Sequence, residues 1–112
     1  MYSDKLKGKI CFNTYKCIAI IDPQKIVYFT RENRLTKVVL DNDKEYIINY
    51  TLKHIEEKII KKNFIRTHKS YLVNIEFIVE FETKAKLLIL KNGVKVPISR
   101  QKYSDFLNIL NL

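Results

Sequence analysis

Glycine, proline and cysteine occur only twice each in these 112 residues, and tryptophan not at all. With Gly8 and Gly93 alone, a glycine-rich phosphate loop is excluded. Cys11 and Cys17 are too few for a disulfide scaffold, and their C-x5-C spacing suits zinc poorly. Both read instead as small strand residues in a reducing cytoplasm. No apolar run approaches the roughly 20 residues that a spanning helix needs. The opening Met1-Tyr2-Ser3-Asp4-Lys5 lacks the apolar core of a secretory signal. The expectation is therefore a cytoplasmic chain with no membrane partner. Histidine is scarce too: His54 falls on the polar side of a helix, and no Asp or Glu flanks His68 to orient it. The carboxylates are scattered, with Glu56 and Glu57 on a solvated helix face, and Glu80 and Glu82 balanced by Lys84 and Lys86. No nucleophile and base converge, so neither an enzyme nor a cofactor or metal is expected.

Acid is the remaining shortage. Twelve Asp and Glu face 21 Lys and Arg, a net charge of +9. Such a surface attracts polyanions, whether nucleic acid, acidic lipid or an acidic protein, although a Lys-, Ile- and Asn-rich genome also produces it. A hydrophobic fraction of 46% argues against disorder, and the length suits one domain with one core.

Patterning along the chain is mostly that of short strands. Ile10-Cys11-Phe12 and residues 17–21 flank a turn at 13–16. Asp22-Pro23 caps and starts one helical turn over Pro23–Lys25. Residues 26–29 form a buried strand. Residues 34–40, alternating around Leu35, Val38 and Leu40, pair through the Asp41-Asn42-Asp43 turn with Glu45–Ile48. The period then changes: Leu52, Ile55 and Ile59 make one stripe of a helix over 51–61, capped by Thr51 or Asn49. Strands at 77–81, 87–90 and 94–98 follow. Asn92-Gly93 joins the last two, and Pro97 marks a strand end or edge. Ser99 caps a final helix, about 100–110, with Tyr103, Phe106, Leu107 and Leu110 on one face.

Three basic segments interrupt this framework. In "FIRTHKSYLVN", residues 64–74, apolar side chains anchor the strand. Arg66, His68 and Lys69 must then project to water, because an unpaired buried cation is too costly. Arg31-Glu32-Asn33-Arg34 joins two strands, and Ser99-Arg100-Gln101-Lys102 joins a strand to a helix. Arg and Lys grip phosphates or guanine, while the amides of Asn33 and Gln101 match adenine. Ser99 and the open amides of the last helix are natural phosphate ligands. Each segment alone is equally a solvated loop. Asn74 reads as a turn cap.

Taken together, "FIRTHKSYLVNIEFI" and "VPISRQKYSDFLNIL" resemble the signature of the LytTR DNA-binding domain family, whose pattern runs F-x-R-x-H-[RK]-S-[YF]-L-V-N and later [PA]-[VI]-S-R. "KIVYFTREN" is similar to the family's earlier strand, with Thr30 where Glu is usual. The resemblance covers roughly residues 9–110. It implies an N-terminal extension at 1–8 and a domain at 9–112. The implied fold is mainly β and elongated, with short antiparallel sheets and two short helices. It also implies that loops, not a recognition helix, grip double-stranded DNA: two enter successive major grooves and the middle one crosses the minor groove between. By position, the first loop falls at Asn33 with Arg31 and Arg34, the middle one at Lys69 with His68 and Ser70, and the last at Arg100. Lys69 stands where Arg is commoner, a point charge in place of a planar fork.

The function so implied is sequence-specific DNA binding in bacterial transcription regulation, on imperfect direct repeats and with possible self-association on DNA. Relatives of this kind usually carry a phosphorylatable receiver domain first. None is in this sequence, so the chain is either an excised output domain or a stand-alone regulator. The rival readings are a protein-interaction module acting on another regulator and, from charge alone, an RNA-binding protein.

Overall fold

The computed structural model describes residues 2–3, 5–59 and 63–111. Strands β1 (Tyr2–Ser3), β2 (Lys9–Asn13) and β3 (Ile18–Ile21) form an antiparallel sheet in that order. Tyr2 pairs with Ile10 and Ser3 with Lys9, so part of the segment expected as an extension lies against this sheet. The 3-10 turn expected at Pro23–Lys25 is present, with the Gln24 amide donating to Asp22 Oδ1 at 3.0 Å.

Next come β4 (Ile26–Glu32), β5 (Leu35–Leu40), β6 (Glu45–Ile48) and helix α1 (Leu52–Ile59). The expected helix ran on to 61; residues 60 and 61 lie outside the described residues. Thr51 caps its start, accepting from the His54 amide at 3.2 Å. Strands β7 (Phe64–His68) and β8 (Tyr71–Asn74) complete a five-stranded sheet of order β6-β5-β4-β8-β7. A second 3-10 turn, Ile75–Phe77, leads to β9 (Ile78–Glu82), β10 (Leu87–Leu90) and β11 (Lys95–Pro97), a sheet of order β11-β10-β9. Helix α2 (Arg100–Leu110) ends the chain. Pro97 closes an edge strand, where its missing N–H breaks no ladder.

The five-stranded sheet is covered on both faces. Alternate residues of a strand point to opposite faces. On one face Phe29, Val38 and Leu72 pack with Ile10 and Phe12 of the first sheet and Ile55 and Ile59 of α1. On the other, Val27 and Val73 pack with Leu88, Leu90, Val96 and Phe106. Burial on both faces is why residues 26–29 read as an unbroken apolar run. Perpendicular ring contacts lock each layer: Phe12 on Phe29 at 5.9 Å and Phe81 on Phe106 at 5.3 Å. The molecule measures 41 × 29 × 25 Å, elongated as expected.

Three expectations need correction. In β5 the inward residue is Thr36, fully buried, while Leu35 is exposed. Leu35 sits at the open end of the hairpin opposite Glu32, and Thr36 is accommodated because its hydroxyl donates to the Tyr50 carbonyl at 2.8 Å. In α2, Phe106 is buried but Leu110, the last residue of the helix, is exposed. Ser99 occupies the N-cap position without a side-chain bond; its carbonyl accepts from the Lys102 amide at 3.1 Å.

Candidate nucleic-acid interface

The three basic segments lie side by side. The β7–β8 turn, Lys69-Ser70, is the ridge between two hollows. One, about 420 Å³, has Arg31, Asn33 and Arg34 of the β4–β5 hairpin on its far wall, with Lys53 of α1. The other, about 290 Å³, has Ser99, Gln101 and Lys102 at the start of α2. Arg66 and Lys69 line both. A larger hollow of about 610 Å³ holds none of the candidate residues and mixes charges, with Lys7, Lys91, Asp22 and Glu76.

Strand pairing produces this row. β4 and β8 are neighbours, matching Thr30 with Tyr71, so the β4–β5 and β7–β8 turns end at the same edge. The Arg31 amide and the Thr30 hydroxyl both donate to the Ser70 carbonyl at 3.0 Å. Thr30, the departure from the family pattern, is thus a donor where a carboxylate would only accept. At the other end the Ser99 amide donates to the Thr67 carbonyl at 2.7 Å. That bond ties the first turn of α2 to β7 and fixes Arg100 relative to Lys69.

The same local device stiffens two of the loops. Arg31 Nε donates to the Asn33 carbonyl at 3.0 Å, and Arg66 Nε donates to the His68 carbonyl at 2.9 Å, each two residues on. Asn33 turns the chain at φ 57°, a left-handed position that Asn tolerates better than most residues. It therefore has a backbone reason to be Asn beside any role for its amide. His68 accepts the Ser70 amide on Nδ1 at 3.1 Å, leaving Nε2–H as the ring's donor, and its ring meets Tyr71 edge-on at 6.0 Å.

Arg66 departs from expectation. Its side chain is only 17% exposed, half-buried where it lines the two hollows, and its guanidinium is held by the protein. Nη1 pairs with Glu56 Oε1 at 2.7 Å, and Nη2 donates to the Lys69 carbonyl at 2.5 Å. A partly buried cation is tolerated when paired and hydrogen-bonded, and α1 supplies the partner. Glu56, read as one of two solvated helix acids, is that partner. Lys53 likewise belongs to the row; nothing in its local sequence distinguishes it from the other outward lysines of α1. His54 is exposed as expected and stacks on Tyr50 at 5.6 Å. Asn74 is buried, donating to the Ile26 carbonyl at 2.8 Å and accepting from the Glu76 amide at 3.0 Å, so it caps a turn.

Arg31, Asn33, Arg34, Lys69, Arg100 and Gln101 are all exposed, and no ion pair among the described residues holds Arg31, Arg34, Lys69 or Arg100. Among the described residues no group of three His, Cys, Asp or Glu could hold a metal ion, and no helix is long and apolar enough to cross a membrane.

A β framework that sets braced basic turns in a row defines a domain that presents a basic face through its loops. Comparison with known proteins makes the class specific. The family profile described as the LytTr DNA-binding domain matches residues 16–111, and the chain belongs to that family. It is 32% identical over 107 residues to the sensory transduction protein LytT of Bacillus subtilis strain 168, covering 93% of this chain and 44% of that protein. It is 30% identical over 92 residues to the transcriptional regulatory protein LytR of Staphylococcus aureus strain N315, covering 80% and 37%. The chain thus spans about two fifths of the length of these relatives. A solved LytTr DNA-binding domain from Bacillus cereus superposes with a TM-score of 0.81 at 26% identity, covering 95% of this chain and 99% of that one.

Proposed function

We propose that this chain binds double-stranded DNA sequence-specifically in the bacterial cytoplasm and regulates transcription as the DNA-reading part of a LytTR-type regulator. The row of three basic segments carries this reading: two are braced by strand pairing and an internal arginine, and the third by the Ser99 amide bond to the Thr67 carbonyl. The β4–β5 hairpin with Arg31, Asn33 and Arg34 enters one major groove. The α2 start with Ser99, Arg100, Gln101 and Lys102 enters the next. The middle turn with His68, Lys69 and Ser70 crosses the minor groove between, while Arg66 supports it from inside. Two major grooves on one side of a duplex lie about 34 Å apart. Two copies on imperfect direct repeats, in contact on the DNA, are the corresponding assembly.

The test is selection from a random duplex pool long enough for two sites about one helical turn apart. Enrichment of a repeated motif is expected. The rival reading, a protein-interaction module, draws on Tyr15, Ile18 and Ile20, which are exposed on the first sheet and its turn. It predicts that no duplex is enriched at all.

A further inference from the structure

Glu56 is an acid on the rim of a surface that faces a polyanion. By charge alone it weakens DNA binding. Yet its carboxylate holds Arg66 Nη1 at 2.7 Å, and the rest of that guanidinium holds the middle turn, through Nε to the His68 carbonyl at 2.9 Å and Nη2 to the Lys69 carbonyl at 2.5 Å. The next carbonyl, Ser70, is taken by the Arg31 amide and the Thr30 hydroxyl. Three consecutive carbonyls of the turn are therefore occupied by donors of the domain itself. A carbonyl so occupied presents less negative charge to an approaching phosphate, and a turn so tied cannot swing. A charge-assisted pair is about twice as strong as a neutral one, and Glu56 also neutralises a guanidinium that is otherwise short of water.

We propose that Glu56 is a positioning residue for DNA reading: through Arg66 it fixes the middle turn, trading electrostatic attraction for a defined placement of Lys69. This rests on the DNA-binding reading above and adds a role for an acid outside the family signature. It makes the two duplex types respond in opposite directions. Losing Glu56 removes one repulsive charge, which raises binding to any duplex, and loosens the turn, which lowers binding to the preferred one.

The experiment compares Glu56→Ala with Glu56→Gln on the duplex enriched by the unsubstituted chain and on a scrambled duplex of the same composition. Both variants remove the same charge, but Gln keeps an acceptor oxygen for Arg66. Glu56→Ala is expected to lower the preferred-to-scrambled affinity ratio by about tenfold, within the range of couplings in one charge network. Glu56→Gln should keep most of that ratio, and both should bind the scrambled duplex slightly more tightly. Hydrogen exchange of the Ser70 amide, measured without DNA, should quicken more in Glu56→Ala than in Glu56→Gln. Equal changes on both duplexes for both variants, with Ser70 exchange unaltered, would overturn the positioning role alone. Failure of the unsubstituted chain to enrich any duplex would overturn the DNA-binding reading and this inference with it.

Discussion

Lys69 and Arg100 differ in what their head groups can distinguish. An ammonium is a point charge with rotatable donors, suited to any phosphate, whereas a guanidinium is a planar fork that matches guanine O6 and N7. Lys69 tops a turn whose carbonyls are tied inward. Arg100 opens a helix whose preceding amide is bonded to β7. Replacing Lys69 with Ala is accordingly expected to weaken all duplexes by a similar factor and to reduce the salt slope by about one. Replacing Arg100 with Ala is expected to cost about 1–3 kcal/mol on the preferred duplex and to relax discrimination at one base pair. Fluorescence anisotropy on the preferred duplex and its single-base variants separates the two; equal losses everywhere for Arg100→Ala would remove it as a reader. Arg66 shows where residue-level reading of the sequence stops. The rule that a cation needs water or a partner holds, but the partner, Glu56, comes from the preceding helix, ten positions earlier. No local pattern announces that contact. Asn74 was legible because its bond to the Glu76 amide is local, although its second bond, to Ile26, spans 48 positions.

At the scale of elements, α2 carries one end of the row on a narrow attachment. Phe106 is its buried residue, set edge-on to Phe81, with Tyr103 and Leu107 only half-buried. The Ser99–Thr67 bond holds the first turn, and Phe106 with Tyr103, which also meets Phe81 edge-on at 5.6 Å, holds the rest of the helix. Phe106→Ala is expected to cost about 3–5 kcal/mol, concentrated in α2. Native-state hydrogen exchange checks it: amides at 101–110 should lose protection while those of β4, paired on both sides, keep it. Uniform loss across the sheet would show instead that α2 and the sheet unfold as one unit. Most elements were visible in advance because their signals are short-range: Asn92-Gly93 for a hairpin, Asp22-Pro23 for a 3-10 turn, the stripe of Leu52, Ile55 and Ile59 for α1. The pairing of β4 with β8 was not. It joins residues more than 40 positions apart, and both strands are buried on two faces, so alternation gives no register. That pairing sets the first two basic turns at one edge; the resemblance to a family implied their common use, but local pattern did not.

For the whole molecule, charge and shape lead to one measurable number. The net charge is +9, and the ion pairs among the described residues are Lys9–Asp22, Lys37–Glu45 and Arg66–Glu56. Only the last touches the row, and it neutralises the one arginine turned inward. The outward cations, Arg34, Lys69, Arg100 and Lys102 with Arg31 and Lys53 beside them, stay available to phosphates. If about five of them displace counterions, the logarithm of affinity should fall with the logarithm of salt at a slope near −4.5. Between 50 and 200 mM salt that is a loss of a few hundredfold. The slope should be similar on preferred and scrambled duplexes, because phosphate contacts carry no sequence information. The separation between the two curves then measures base reading by itself. A slope near zero on both duplexes would mean that the basic row does not meet the backbone, whatever the affinity. That separation between the curves, not the slope, distinguishes a basic surface that reads DNA from one that merely reflects a lysine-rich chain, since non-specific binding shows the same slope with the two curves superimposed.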